Sequence, residues 1–358
     1  MRILINGNMG YIGPVVAAHL RHAFPDATLI GLDAAWFAHC LTSASGLPET
    51  ALDEQHFGDL RTWSAEEIGR YDAIVHLAAV SNDPMGKKFE TVTDEINHRT
   101  TVEVAKLAAG AGVKNFVFAS SCSIYGFAAS GVPRTEKDPT DPLTAYARSK
   151  IATEVALAAL PKHNMTVTCL RFATACGMSP RLRLDLVLND LVAGALVARQ
   201  ITVLSDGSPW RPLIHVRDMA RAIEWAITRS PQNGGQMLVV NAGSDRWNYQ
   251  VLDLANAVKA RFPDAELSIN KDAPPDKRSY KVDFALFRQL APDHQPIETL
   301  EGAIAELADR LAELDFADTD YRNSQLIRLK VLERHIARGQ LTDDLLPAAG
   351  TPMRTAAQ

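Results

Sequence analysis

The stretch Ile5-Asn6-Gly7-Asn8-Met9-Gly10-Tyr11-Ile12-Gly13 decides how the rest of the chain is read. Its glycines stand three residues apart, behind the apolar run 3–6 and ahead of a helical pattern over 11–23. A chain that leaves a buried strand, turns sharply and enters a helix brings backbone N–H groups and the positive end of that helix to one point. That arrangement suits a pyrophosphate. Glycine permits the turn and the close approach because it has no Cβ. Three glycines alone also fit a plain turn; the strand before and the helix after favour a dinucleotide site. On this reading Gly7, Gly10, Tyr11, Ile12 and Gly13 contact the cofactor.

Asp33 follows the apolar run 28–32, twenty residues beyond Gly13. A carboxylate there accepts from the adenosine ribose hydroxyls and repels a 2′-phosphate, and no Arg follows at once to receive one. NAD is therefore expected over NADP. Gly58-Asp59-Leu60 follows a third strand, and His76-Leu77-Ala78-Ala79 ends a fourth over 73–76. Small residues at a strand end let a ligand lie against the sheet, which adds Asp59, Leu60, Leu77, Ala78 and Ala79 to the cofactor site. His76 reads as a satisfied core histidine. Further strand patterns at 115–119 and 165–171 alternate with helical patterns at 90–109 and 145–160. Short hydrophobic strands alternating with helices give βαβ units around a parallel sheet. The expected fold is α/β, a Rossmann-type doubly wound sheet followed by a smaller, mostly helical C-terminal part.

Beyond residue 172 the pattern changes to a helix over 183–199, a Gly/Pro-rich loop over 205–212, a strand–helix pair (213–216, 218–228) and a strand at 237–241. The expected cofactor domain is 1–172, with 213–241 returning to it. Residues 173–212 and 242–345 form the substrate region, and 346–358 a frayed tail. Ala273-Pro274-Pro275-Asp276 marks a loop, and 299–338 a charged helical stretch with Leu307, Leu311 and Leu314 at helical spacing.

The chain has 358 residues, 47% of them hydrophobic, enough to bury a sizeable core and exclude wholesale disorder. With 37 basic and 42 acidic residues the net charge is −5, which argues against nucleic acid, whose phosphates call for clustered cations. Cys40, Cys122, Cys169 and Cys176 have no ligand-like spacing, so neither a metal site nor a disulfide framework is expected, and a reducing, cytoplasmic setting fits. No apolar run approaches a membrane span.

The fifth strand ends in Ser120-Ser121-Cys122-Ser123-Ile124-Tyr125-Gly126, and Tyr146-Ala147-Arg148-Ser149-Lys150 follows. Tyr and Lys at i and i+4 share one helix face. A nearby Lys⁺ and the positive nicotinamide ring stabilise a phenolate. Such a base takes a hydroxyl proton while hydride leaves the same carbon. A strand-end serine holds the substrate oxygen.

With Asn97, Leu170-Arg171-Phe172, Arg211 and His215-Val216-x-Asp218, these motifs make the sequence resemble the extended short-chain dehydrogenase/reductases. Within them it is closest to the NAD-dependent nucleotide-sugar epimerase/dehydratase group, over roughly residues 1–290. The resemblance implies a catalytic set of Ser121, Tyr146 and Lys150, with Tyr146 and Lys150 also touching the cofactor, and Asn97 supporting the site helix and the cofactor. It implies substrate contacts from Ser121, Cys122, Ser123, Thr174, Asn189, Arg211 and Arg278. Arg181 and Arg183 read as solvated charges. Trp210 reads as a ring platform or a half-buried anchor.

Departures from the family pattern bear on the reaction. The 4,6-dehydratases of the group carry an Asp-Glu pair where this chain has Cys122-Ser123; the 4-epimerases carry small uncharged residues there. Thr174 stands where epimerases commonly carry an Asn. The expected activity is epimerisation of a nucleotide-diphosphate sugar at C4 through a transient ketone, in a homodimer. Dehydration, decarboxylation or ketone reduction are the alternatives within the family, and a non-catalytic NAD-binding regulator the alternative outside enzymes.

Overall fold

The computed structural model describes residues 1–42, 46–128, 131–273 and 279–348. In chain order the strands are β1 (Arg2–Asn6), β2 (Thr28–Asp33), β3 (Glu54–Phe57), β4 (Ala73–His76), β5 (Asn115–Ser121), β6 (Thr166–Phe172), β7 (Thr174–Cys176), β8 (Gln200–Val203), β9 (Trp210–His215), β10 (Met237–Ala242), β11 (Asn248–Gln250) and β12 (Glu266–Ile269). A seven-stranded sheet runs β10-β6-β5-β4-β1-β2-β3, every pair parallel. The chain winds outward from β1 through β3, then restarts beside β1 at β4. The switch point opens a crevice at the carboxyl ends of β1 and β4.

Side-chain alternation explains both cores. Ile3 and Ile5 of β1 face the helices Gly13–Ala23 and Val216–Thr228, meeting Val16, Leu20, Met219 and Ile223. Leu4, between them, faces the opposite side with Ile74, Phe116 and the helix residues Val104 and Ala108. Covered on both faces, β6 is buried along its whole length, Thr166, Thr168 and Arg171 included. A separate core joins β8, the helices Val187–Ala198, Val251–Arg261 and Leu300–Glu313, and Tyr11 of the glycine loop.

Several boundaries differ from the sequence reading. The strand expected at 213–216 starts at Trp210 and pairs with β7 and β11 in a small second sheet, whereas β10 and the helix before it do return to the first. Residues from Tyr280 to Ala291 pack on the first core. The helix expected from 183 starts at Val187, because Arg183 and Asp185 are held in a salt-bridged loop. A π-helical stretch, Glu95–Thr100, interrupts the helix expected over 90–109. The C-terminal stretch divides into Leu300–Glu313 and Arg328–Ala337, with left-handed Asp315 (φ 49°) just past the first. Leu346 and Ala348, placed in the frayed tail by sequence, are hydrogen-bonded to Thr342 and Gln340. The rest of that tail, Arg278 and most of the Pro274-Pro275 loop lie outside the described residues.

Candidate active site

The glycine loop is built by contacts only glycine tolerates. Gly7 has φ +75°, and a Cβ there would sit 2.5 Å from the Ala78 nitrogen, so the loop nests on the end of β4. At Gly13 a Cβ would sit 2.4 Å from Asn8 Cα, so the first helix starts hard against the turn. Asp33 accepts from Met9 N (2.9 Å) and Ala35 N (2.7 Å), fixing the loop to the end of β2. Burial raises its pKa, and those two amides oppose the rise. Beneath the β4 end, Asn6 Nδ2 donates to His76 Nδ1 (3.0 Å), so the other ring nitrogen donates to Thr101 Oγ1 (2.8 Å). Burial drives the His76 pKa down to about 3, leaving a neutral core histidine as expected.

A cavity of ≈ 410 Å³ occupies the crevice. It is lined by Gly7, Gly10, Tyr11, Ile12, Gly13, Asp33, Asp59, Leu60, Leu77, Ala78 and Ala79 from the cofactor side, and by Ser121, Ser123, Tyr146, Lys150 and Thr174 from the chemical side. Thr144 caps the Tyr146 helix, accepting from Ala147 N (3.1 Å) and donating to Asp83 Oδ1 (2.7 Å). Ser121 accepts from Ser123 N (3.1 Å). Burial pushes the Tyr146 phenol up to about 12; the hydrogen bond with Ser121 and the charge of Arg183 pull it down, and Asp83 raises it. Lys150 donates to Ala119 O (2.7 Å), and its Nζ lies 5.4 Å from the Tyr146 ring centre. Sequence reasoning expects Lys150 to lower the phenol's pKa as an ammonium. In the structure burial brings Lys150 itself down to about 7, with Glu154 opposing, so its charge is marginal before cofactor and substrate arrive.

Four expected contacts do not line the cavity. Asn97 is spent inside the protein, accepting from Val80 N (2.8 Å) and donating to Val80 O (3.0 Å) and Ser149 Oγ (3.2 Å). It ties the β4 loop to the Tyr146 helix and does not line the cavity. Cys122 is fully buried, its thiol donating to Arg171 O (3.0 Å) and its pKa pushed up by burial. Asn189 is also fully buried; it accepts from Gly177 N (3.0 Å) and donates to Arg183 O (2.9 Å) and to Tyr11 Oη (3.3 Å). Arg211 lies on β9 and donates to Trp210 O (2.9 Å). Trp210 itself is a half-buried anchor carrying Lys281 over its ring at 3.8 Å.

Sequence reasoning also misses residues that do line it: Asn82, Asp83, Arg183, Asp185 and Arg328. Arg181 and Arg183, expected in solvent, are 1% and 8% exposed. Arg181 pairs with Glu49 (2.6 Å), and Arg183 grips Asp185 through two 2.9 Å bonds while donating to Ser81 Oγ (3.0 Å). Asn82 holds φ +113° while its amide donates to Asp185 Oδ2 (2.7 Å) and its carbonyl oxygen accepts from Met85 N. Strain of that kind gathers at functional sites. The available signal was Asn82-Asp83-Pro84 directly after a ligand-binding strand end, a helix cap followed by a first-turn proline.

A crevice at the switch point of a doubly wound sheet, with a glycine cradle, a ribose-side carboxylate and a Ser/Tyr/Lys cluster, defines a dinucleotide-dependent enzyme of the short-chain dehydrogenase/reductase type. Residues 3–243 match the NAD dependent epimerase/dehydratase family, and the chain belongs to that family. It is 28% identical over 280 residues to the UDP-glucose 4-epimerase of Streptomyces lividans, spanning 72% of this chain and 80% of that one. It is 25% identical over 314 residues to the dTDP-glucose 4,6-dehydratase of Streptomyces griseus, spanning 86% and 93%. The solved structure of MoeE5 with UDP-glucuronic acid and NAD has the same fold, with a TM-score of 0.74 at 22% identity over 87% of this chain and 99% of that one. The enzyme's cofactor is NAD, and the site fits it: the Gly7 cradle has no room for a side chain, and Asp33 stands where a 2′-phosphate would be repelled. Among the described residues no helix is long and apolar enough to cross a membrane.

Proposed function

We propose that this enzyme epimerises a nucleotide-diphosphate sugar, inverting C4 through a transient 4-keto sugar. The observation that carries the reading is the chemical end of the cavity. Ser121, Tyr146 and Lys150 converge there, while the position after Ser121 holds a thiol turned into the core. Ser121 holds the reacting hydroxyl, and Tyr146 takes its proton as the C–H bond breaks. Lys150 holds the helix face and supplies positive charge when protonated. NAD, when bound, receives the hydride and returns it, and its positive ring favours the Tyr146 phenolate. Tyr146 gives the proton back once the ketone has presented its other face, so no net NADH forms.

A dehydratase is the second reading, favoured by the Asp83 and Asp185 carboxylates that line the same cavity. Both are already engaged, Asp83 by Thr144 and Asp185 by Arg183 and Asn82, which suits positioning better than proton transfer. Ser123 and Thr174 line the cavity where sugar contacts fall. Arg211, on β9, and Arg278 stay candidates for the diphosphate contact on the sequence resemblance.

The reading includes a cytoplasmic homodimer. Four buried free thiols suit a reducing compartment, and Val155, 65% exposed on the Tyr146 helix, suits a helix-to-helix contact. Residues 1–172 and 216–242 form the cofactor unit, and most of the remainder the substrate unit, with Tyr280–Ala291 packed on the former. Incubation with a panel of nucleotide-diphosphate sugars, followed by product NMR, tests the reaction. An inverted stereocentre supports it; a deoxy-keto sugar or a decarboxylated product contradicts it.

A further inference from the structure

Among residues 324–348, Arg328 alone lines the cofactor cavity, and it is 1% exposed. It donates to the carbonyls of Arg181 (2.7 Å), Leu182 (3.2 Å) and Gln325 (3.1 Å), and lies 5.0 Å over the Phe37 ring. These dipoles satisfy N–H groups but do not cancel a unit charge. Among the described residues no carboxylate forms an ion pair with it. The acid in its surroundings, Asp185, is held by Arg183 at 2.9 Å, and Arg181 is held by Glu49 at 2.6 Å. Burial lowers the Arg328 pKa to about 10; Cys40 and Asp185 oppose the fall, and the charges of Arg183 and Arg181 deepen it. A buried cation lacking a counter-ion is costly unless an anion joins it.

Its place indicates which anion. Two of the carbonyls holding Arg328, those of Arg181 and Leu182, belong to a segment stitched to the glycine loop: Tyr11 Oη donates to Gly177 O (2.6 Å) and Ser179 Oγ to Tyr11 O (2.6 Å). Phe37 and Asp33 line the same cavity. Independent contacts hold the rest of the C-terminal segment down. His335 donates to Trp36 O (3.0 Å), Glu333 pairs with Lys88 (2.7 Å), and Arg61 donates to Asp344 O (3.1 Å).

We propose that Arg328 binds a diphosphate in this cavity, supplying from the C-terminal helix the positive charge that the glycine loop lacks. NAD and a nucleotide-diphosphate sugar both carry that group. The loop contacts favour the cofactor's; the sugar nucleotide's rests on the reaction proposed above.

The test uses purified holoenzyme and two pairs of probes. ADP and adenosine compete against bound NAD, and UDP and uridine are titrated onto the NAD-loaded protein. In the wild type each diphosphate binds more tightly than its nucleoside. Arg328→Met should shrink the ADP-over-adenosine preference by about 10–100-fold, the size of a lost charged hydrogen bond, and Arg328→Lys should recover part of it. A collapse of the UDP-over-uridine preference alone assigns the contact to the sugar nucleotide. If neither ratio changes, or if diphosphate and nucleoside weaken together, Arg328 is structural and the proposal fails. Should Arg328→Met not fold, Arg328→Gln, which keeps donors for the carbonyls, is read by the same ratios. The adenosine arm requires no sugar chemistry, so it stands or falls apart from the proposed reaction.

Discussion

Tyr146 and Lys150 occupy one helix face, yet burial acts on them in opposite directions, raising the phenol to about 12 and lowering the ammonium to about 7. Tyr146→Phe removes only the proton acceptor. We expect turnover to fall by ~10²–10⁴ while NAD stays bound; turnover within threefold of wild type would remove Tyr146 from the reaction. Lys150 gives a pH signature. Its folded value lies below the ordinary 10.5, so between about pH 7 and 10.5 the unfolded chain holds a proton that the folded chain releases. Stability of the cofactor-free protein should therefore gain from this residue as pH rises through that window, the penalty being fully present below it. Followed from pH 6.5 to 9.5, the wild-type melting temperature should rise relative to that of Lys150→Met, the variant's relative stability being greatest at low pH. Parallel curves would contradict the depressed value. At this scale the sequence picked out the Ser121, Tyr146 and Lys150 that converge on one cavity, but not where every other side chain points. Cys122 and Asn189 sit at family contact positions, and both are spent inside the protein. Arg183 sits among surface-like charges and lines the cavity. Nothing in one-dimensional spacing carries that information, because long-range partners such as Ser81 decide it.

The elements behind the site are joined by a buried polar network. Glu154 on the Tyr146 helix pairs with Arg171 of β6 at 2.7 Å, both nearly inaccessible, and accepts from Ser120 beside Ser121. Arg171 Nη1 in turn donates to Tyr125 Oη (3.0 Å), which donates to Asn241 of β10 (2.7 Å). Breaking one side of such a pair leaves an uncompensated buried charge, so Glu154→Leu should cost ~3–5 kcal/mol in urea unfolding. The double change Glu154→Leu with Arg171→Met should recover much of that loss. A single variant as stable as wild type would mean the pair is dispensable. Inner strands such as β1 and β4 were legible because burial on both faces favours apolar runs, whereas edge strand β3, Glu54–Phe57, carries none. The short strands of the second sheet were not legible. Pro212 lies inside β9, where its missing N–H reads as a loop signal, and β7 and β11 are three residues long. The π-helical stretch was equally invisible, since one wider turn barely alters the apolar spacing.

Across the whole molecule, the second half is fastened to the glycine loop and the C-terminal segment reaches the cofactor cavity, so the crevice is lined by residues more than 300 positions apart in sequence. That reach came from tertiary contacts alone; the charged spacing of the last helices predicts helices and not their destination. The proposed chemistry requires NAD to stay in place through removal and return of one hydride. The measurement that tests this most directly is turnover of a nucleotide-diphosphate sugar carrying deuterium at C4, read by mass spectrometry and NMR. The account predicts a product of unchanged mass, inverted at C4 and still deuterated there, with no accumulation of NADH. A product lighter by one water, or deuterium captured in released NADH, would contradict it.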